Sequence, residues 1–399
     1  MIHYEIFKIF LFGRSRSRIP GTLSPLTRKL CCLLSILITS GQALAWGSNA
    51  HQGLVAAPAP MVSFRFAMTD DSRASGGAAA QNNGVSTAVL DAIAKDIAAQ
   101  NVVKKIDFLL FPGDMVNGAT NDSTALGSMM DTWKAAMAPV YTANIPIFTT
   151  RGNHEYNPLA KGAVNPADPS LATYKAHFPM PANGPPGEVG LTYSFTHKNA
   201  KFIVFDTYAG RTATFNNTLF ATGANKGQGM NPWVTDQLNN STSGVNFAVA
   251  HEQMWPSESH PDCLANDPDG RDALLHALGA HNGTYLAGHD HMYLRGIMTN
   301  GSRDKVPSLV VGSAGGGNYK YAPFTGASYN YAGRANYSVQ KSIANSTNPT
   351  FGYLLVTVYT DNTWRGKFRG FQFKKWNDAT DISLTPITVM DSFKNTDLY

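Results

Sequence analysis

Apolar residues along this chain gather in short runs, and the runs end in residues able to hold a cation. Val62-Ser63-Phe64-Arg65-Phe66-Ala67-Met68 leads into Asp70-Asp71, and Asp107–Phe111 leads into Pro112-Gly113-Asp114. Ile145–Thr150 leads into Arg151-Gly152-Asn153-His154-Glu155. Val245–Ala250 leads into His251, and Tyr285-Leu286-Ala287 into Gly288-His289-Asp290-His291. Runs of this length, bounded by Gly, Pro and Asp, predict strands. Between them, Val85, Val89, Ala92, Ile93 and Ile97 recur at helical spacing and predict a helix over about 85–100. Leu126, Met130, Trp133 and Met137 predict another over about 122–138. Strand alternating with helix argues for a largely parallel sheet.

After Glu155 the pattern changes. Residues 157–190 are rich in Pro, Gly and Asn and read as a long surface loop. Leu191–Thr196 and Lys201–Asp206 read as a hairpin, 209–231 as irregular, 231–239 as a helix and 252–270 as a loop. A helix over 270–280, a strand over Pro307–Gly312 and a late hairpin, Phe351–Thr360 with Thr363–Phe373, complete the series. No repeat or boundary interrupts 62–399, so the expectation is one α/β domain of two stacked sheets with outer helices.

Charge changes the picture at the amino terminus. The net charge is +5, yet residues 1–45 carry Lys8, Arg14, Arg16, Arg18, Arg28 and Lys29 against Glu5 alone. The remainder is therefore near neutral, and nothing in it suggests a nucleic-acid-binding surface. Arg28-Lys29, the apolar run Leu30–Ile38 and Ala43-Leu44-Ala45 have the order of a secretory signal peptide over 1–45, cleaved after Ala45. The run is too short to span a bilayer, so no transmembrane segment is expected after cleavage. Residues 46–61 read as a linker, and the mature chain is expected to be secreted or periplasmic. Cys31 and Cys32 leave with the leader, so Cys263 has no partner for an internal disulfide.

The run ends carry the candidate chemistry. In α/β sheets ligands bind at the carboxyl ends of strands, and neutral imidazoles are common metal ligands. His289 and His291, one residue apart, can face two neighbouring ions. Taken singly, Asp71 and Asp114 are equally readable as turn residues and Asn153 as a cap. Asp70, Arg73 and Asn117 stay open between a structural and a functional role. Asp206 is expected to order a loop, and His177, His197, His276 and His281 to lie on the surface or in packing. His260 is a candidate for lining a substrate cleft. Gly315-Gly316-Gly317 reads as a tight turn, and Tyr319, Tyr321, Phe324, Tyr329 and Tyr331 as a loop over apolar surface.

Collected in order, the motifs are Asp71-Ser72-Arg73, Gly113-Asp114-Met115-Val116-Asn117, Gly152-Asn153-His154-Glu155, His251 and Gly288-His289-Asp290-His291. That order resembles the calcineurin-like metallophosphoesterase superfamily. Gly288–Arg295 is especially similar to its purple acid phosphatase branch and bacterial relatives. Leu191–Thr207, Pro307–Gly317 and Phe351–Val358 extend the resemblance over about 62–373. It implies a four-layer α/β/β/α sandwich with two divalent or mixed-valence ions, Fe, Mn or Zn, at the sheet edge. Asp114 would bridge them. Asn153, His251 and His289 would hold the second ion, and Asp71 and His291 the first. His154, steadied by Glu155, would protonate the leaving group. Two ions about 3.5–4 Å apart acidify a water for in-line attack at phosphorus.

Two departures stand out. The superfamily often has Asp-x-His where this chain has Asp71-Ser72-Arg73, and purple acid phosphatases have a tyrosine at the position of Asn117. The first ion then lacks a ligand that Asn117 or water would have to replace, while Arg73 becomes a candidate for contacting a substrate phosphate. The resemblance points to a phosphomonoesterase acting on small phosphate esters. Its alternatives are a phosphodiesterase on nucleotides or lipid head groups and a catalytically impaired metal-binding relative.

Overall fold

The alternation in the first apolar run is realised as strand β1 (Val62–Met68): Phe64, Phe66 and Met68 face one core and Ala67 another. The structure, a computed structural model, describes residues 59–74, 82–120, 122–155, 169–208, 230–255, 268–300, 304–316, 328–331, 335–343, 348–375 and 382–398. The leader, nearly all of the linker, His260 and most of 209–231 and 252–270 lie outside them, as do Tyr319, Tyr321 and Phe324.

The chain continues through α1 (Thr87–Val103), β2 (Phe108–Phe111), α2 (Ser123–Ala136), α3 (Ala138–Thr142) and β3 (Ile147–Thr149). Then come α4 (Pro169–His177), β4 (Tyr193–His197), β5 (Ala200–Val204), α5 (Met230–Asn239), β6 (Val245–Val249), α6 (Pro268–Ala280) and β7 (Gly283–Ala287). Strands β8 (Tyr293–Asn300), β9 (Asp304–Val311), β10 (Ser328–Tyr331), β11 (Ala335–Ile343), β12 (Phe351–Tyr359), β13 (Trp364–Phe371) and β14 (Thr388–Lys394) follow, with a final 3-10 turn at Asn395–Leu398. The expected helices form because their apolar positions recur on one face. Val89, Leu90, Ile93, Ala94 and Ile97 are the buried stripe of α1. Asp122 caps α2 by accepting from the Thr124 and Ala125 amides at 2.8 and 3.1 Å.

Two mixed sheets result. One has the order β14-β13-β12-β1-β2-β3, the other β10-β11-β8-β9-β7-β6-β5-β4. In the first, β1, β2 and β3 run parallel while β12 is antiparallel to β1. In the second, β5, β6, β7 and β9 run parallel. Three cores separate four layers. The middle core, between the sheets, holds Phe64, Phe66, Phe108, Phe202, Phe247, Leu286 and Leu309. Phe66 stacks on Phe108 at 5.4 Å, and each such fully buried side chain contributes about 1.5–3 kcal/mol. The outer cores pack α1 and α2 on the first sheet and α5 and α6 on the second. This is the expected α/β/β/α sandwich.

Five departures are local. Helix α4 lies inside the stretch read as a loop at 157–190. Strands β8, β11 and β14 were not foreseen. Tyr329 and Tyr331, expected in a loop, belong to β10. Among the described residues no helix is long and apolar enough to cross a membrane.

Candidate metal centre

The loops leaving β1, β2 and β3 of one sheet and β6 and β7 of the other converge on one spot. Three residues there adopt left-handed backbone: Asp71 (φ 64°), Asp114 (φ 44°) and His289 (φ 67°). Non-glycine residues in that region cost on the order of 1–3 kcal/mol and gather at functional sites. The loops also approach closely. A Cβ on Gly113 would come within 2.6 Å of Gly152 Cα, and one on Gly152 would overlap the Asp114 carboxylate. Glycine is therefore required at both positions.

The loops are tied before any ligand is considered. Trp133 Nε1 donates to Ser72 Oγ at 3.0 Å, which donates to the Met115 carbonyl at 2.9 Å. Glu155 accepts from the amides of Asp114 and Gly152, both at 2.8 Å, and of Val116 at 3.2 Å. This corrects one expectation. Glu155 does not hold the His154 ring through a hydrogen bond, because its oxygens are taken by backbone. The ring is oriented instead by Nδ1 against the Asn117 carbonyl at 2.7 Å. The contacts of Asn117 are likewise made by its backbone, its amide donating to Gly84 at 2.8 Å.

Asp114 stands between two groups. Its Oδ1 lies 3.4 Å from His251 Nε2 and accepts from the His154 amide at 3.0 Å. His251 Nε2 lies 3.3 Å from Asn153 Oδ1 and 3.2 Å from His289 Nδ1. Asp114 Oδ2 lies 3.3 Å from Arg73 Nε and 3.9 Å from His154 Nε2. Asp71 Oδ1 lies 3.4 Å from His291 Nε2. Ligand atoms of Asp114, His251 and His289 fall within 4.8 Å of one another, and so do those of Asp71, Asp114 and His291. A third group, Asp70, Asp71 and His251, meets the same criterion. Asp70 reaches the other face of the ring, Nδ1 at 2.9 Å from its Oδ2. It therefore suits the outer partner that orients a ligating histidine.

The residues fit the ions that the resemblance implies. Asp70, Asp71, Asp114 and Glu155 are buried together. Burial raises Asp71, Asp114 and Glu155 to about 7; repulsion from Asp290 adds to it at Asp71, from Asp71 at Asp114, and from Asp114 at Glu155. Asp70 is raised well above the ordinary carboxylate range, by burial first. Buried like charges demand compensating cations. Asp71 Oδ1 is buried and accepts no hydrogen bond among the described residues, as expected of an atom reserved for a metal. His154 belongs to none of the three groups; its pKa is lowered by burial and by Arg73.

Asp71, Arg73, Asp114, Asn153, His154, His251, His289 and His291 thus bring their side chains to this spot, Glu155 its tether, and Asn117 its carbonyl against the His154 ring. Sequence reasoning assigned no role to Ser72, to Asp290, or to Gln253, which donates to Asp290 Oδ2 at 2.8 Å. It left Asp70 open, although a histidine at a strand end needs an acceptor behind it. Asp206 orders its loop as expected: it accepts from the Tyr208 amide at 2.7 Å and pairs with Arg151. His177, His197 and His276 meet Asp131, Asp107 and Asp304, away from the centre.

Solved structures share this fold. A purple acid phosphatase from yellow lupin (Lupinus luteus) seeds superposes with a TM-score of 0.56 at 17% identity. The match covers 85% of this chain and 55% of that one, so the chain spans about half the length of the lupin enzyme. PhoD superposes with a TM-score of 0.53 at 14% identity, over 84% of this chain and 70% of that one. At such identities the likeness is one of fold. No curated protein matches the chain by sequence. The family model for the calcineurin-like phosphoesterase matches residues 85–293, more than half of the chain, and spans Asp114, the Gly-Asn-His-Glu loop, His251 and the His-x-His pair. The chain therefore belongs to the calcineurin-like phosphoesterase family, whose members are metal-dependent phosphoester hydrolases.

Proposed function

We propose that the chain is a secreted phosphomonoesterase acting on small phosphate esters. One observation carries the reading: a single carboxylate, Asp114, is shared by two ligand groups, with a histidine outside both beside its Oδ2. Asp114, Asn153, His251 and His289 would hold one ion, and Asp71, Asp114 and His291 the other. A bound pair would acidify water and offset charge on the phosphoryl oxygens. Water attacks phosphorus opposite the ester oxygen; the new P–O bond forms as the old one breaks, and the electron pair leaves with the alcohol oxygen. His154 in its protonated form supplies the proton from Nε2, since its Nδ1–H is held by the Asn117 carbonyl, and the proton lost by the attacking water passes to solvent. Arg73 offers a guanidinium fork to the phosphoryl oxygens, which favours a phosphoryl group with several unesterified oxygens.

Hydrolysis of p-nitrophenyl phosphate and of bis-p-nitrophenyl phosphate, measured with Mn, Zn and Fe in turn, tests the reading. The monoester is expected to be turned over faster. A preference for the diester points to a phosphodiesterase, and bound ions without turnover of either point to an impaired relative. Export is proposed from the basic, apolar, Ala-x-Ala order of residues 1–45. Amino-terminal sequencing of secreted protein should begin near Trp46, and an intact Met1 would refute the cleavage.

A further inference from the structure

We propose that the two ion positions are unequal and that Arg73 makes them so: the position walled by Asp71 and His291 is weak and exchangeable, and phosphate strengthens it. The idea rests on the two-ion reading above. The position beside Asp114 Oδ1 has Asn153, His251 and His289 around it. The second group adds to Asp114 only Asp71 and His291 among the His, Asp and Glu side chains of the described residues. The guanidinium of Arg73 already lies 3.3 Å from Asp114 Oδ2. A guanidinium stays charged at any working pH. A cation entering between Asp71 and His291 therefore meets a fixed positive charge on the carboxylate it has to share.

Arg73 is also placed to let go. Its side chain is 18% exposed, against 2% for Asp114, so it lies on the solvent side. Its backbone is pinned: the amide donates to the Asp114 carbonyl at 3.0 Å, and Arg73 bridges Val85. Only the side chain need move. Phosphate oxygens match a guanidinium better than one carboxylate oxygen does. A phosphate arriving here draws Arg73 off Asp114, frees Oδ2 and brings anionic oxygens of its own. Substrate and second ion then favour each other, and by linkage the effect is reciprocal.

Calorimetric titration of the metal-free full chain with Mn(II), with and without inorganic phosphate, tests this. The expected result is one tight step per chain and a second that is weaker by roughly 10–100-fold, the range over which neighbours of ligands change affinity. Phosphate should tighten the second step and leave the first alone. In Arg73→Gln the second step should be tight without phosphate. Two equal tight steps in the unmodified chain, or a second step indifferent to phosphate, would overturn the proposal without need of any variant. So would an Arg73→Gln protein whose second step stays weak. A chain that takes up no Mn(II) would sink the two-ion reading itself, which two equal steps would leave intact.

Discussion

Asp114 and His154 approach to 3.9 Å and should nevertheless fail differently. Asp114→Ala removes the anion shared by both ligand groups, so metal content should fall. His154→Ala should keep its metal and lose roughly 10²–10⁴-fold in rate. That loss should shrink for substrates with weakly basic leaving groups, which need no proton. Atomic emission and a leaving-group series measure both effects; loss of metal from His154→Ala would remove its assignment as the acid. Asp70→Asn probes the support behind His251. It keeps the shape of the contact at 2.9 Å and weakens the pull on the ring, so chelator competition should show metal affinity down by roughly 10–100-fold. The metal-free fold should be no less stable, since a buried charge is gone. The candidate ligands are legible in the sequence because they follow the ends of apolar runs. Asp70 is not, because nothing in its spacing separates it from Asp71. Ser72 and Gln253 act through atoms brought near only by folding.

Arg151, at the end of β3, and Asp206, past the end of β5, form a buried ion pair at the edge where the two sheets meet. Removing one member of such a pair strands the other in the interior, at about 3–5 kcal/mol. Arg151→Met should show that loss in urea unfolding, and Arg151→Met with Asp206→Leu should recover part of it. A double variant no better than the single one would show that the pair is not the cause. The same principle explains which strands escaped the sequence. In β8, Tyr293 and Arg295 turn toward Asp391 of β14, at 2.8 and 2.9 Å, and Arg295 covers Phe393. A charge facing another strand across the sandwich breaks the apolar pattern of both, and only the partner, 96 residues away, explains it. Among the described side chains of β11 only Tyr337 and Val339 belong to the outer core, too few to mark a strand. The 3.6-residue stripes of α1 and α2, by contrast, were visible because a whole face is buried.

The sandwich itself is legible from the alternation of runs and helices, since sheets with helices between parallel strands have few ways to stack. What the chain does with charge as a whole is less visible. Glu188, in the turn before β4, is raised from 4.5 to about 8, first by burial and then by repulsion from Asp206, with Arg151 opposing. A carboxylate held above its unfolded value contributes stability that is full below that value and lost as pH climbs through the folded one. Its contribution should therefore fade between about pH 4.5 and 8. Glu188→Gln should flatten that fall in chemical denaturation at a series of pH values; an unchanged slope would refute the assignment.

Strand β1 lies between β2 and β12, and that placement sets an order in time. Asp71 follows β1 near the start of the described chain, but one flank of β1 waits for Phe351–Tyr359. A ribosome must synthesise the chain past Tyr359 before the first sheet can close. Pairings so distant along the chain carry a large loop-closure entropy and slow the search. The centre needs residues from Asp71 to His291 at once, so it cannot seed the search either. The protein should take up its ions as a late event, after the last hairpin has docked, wherever in or out of the cell that happens.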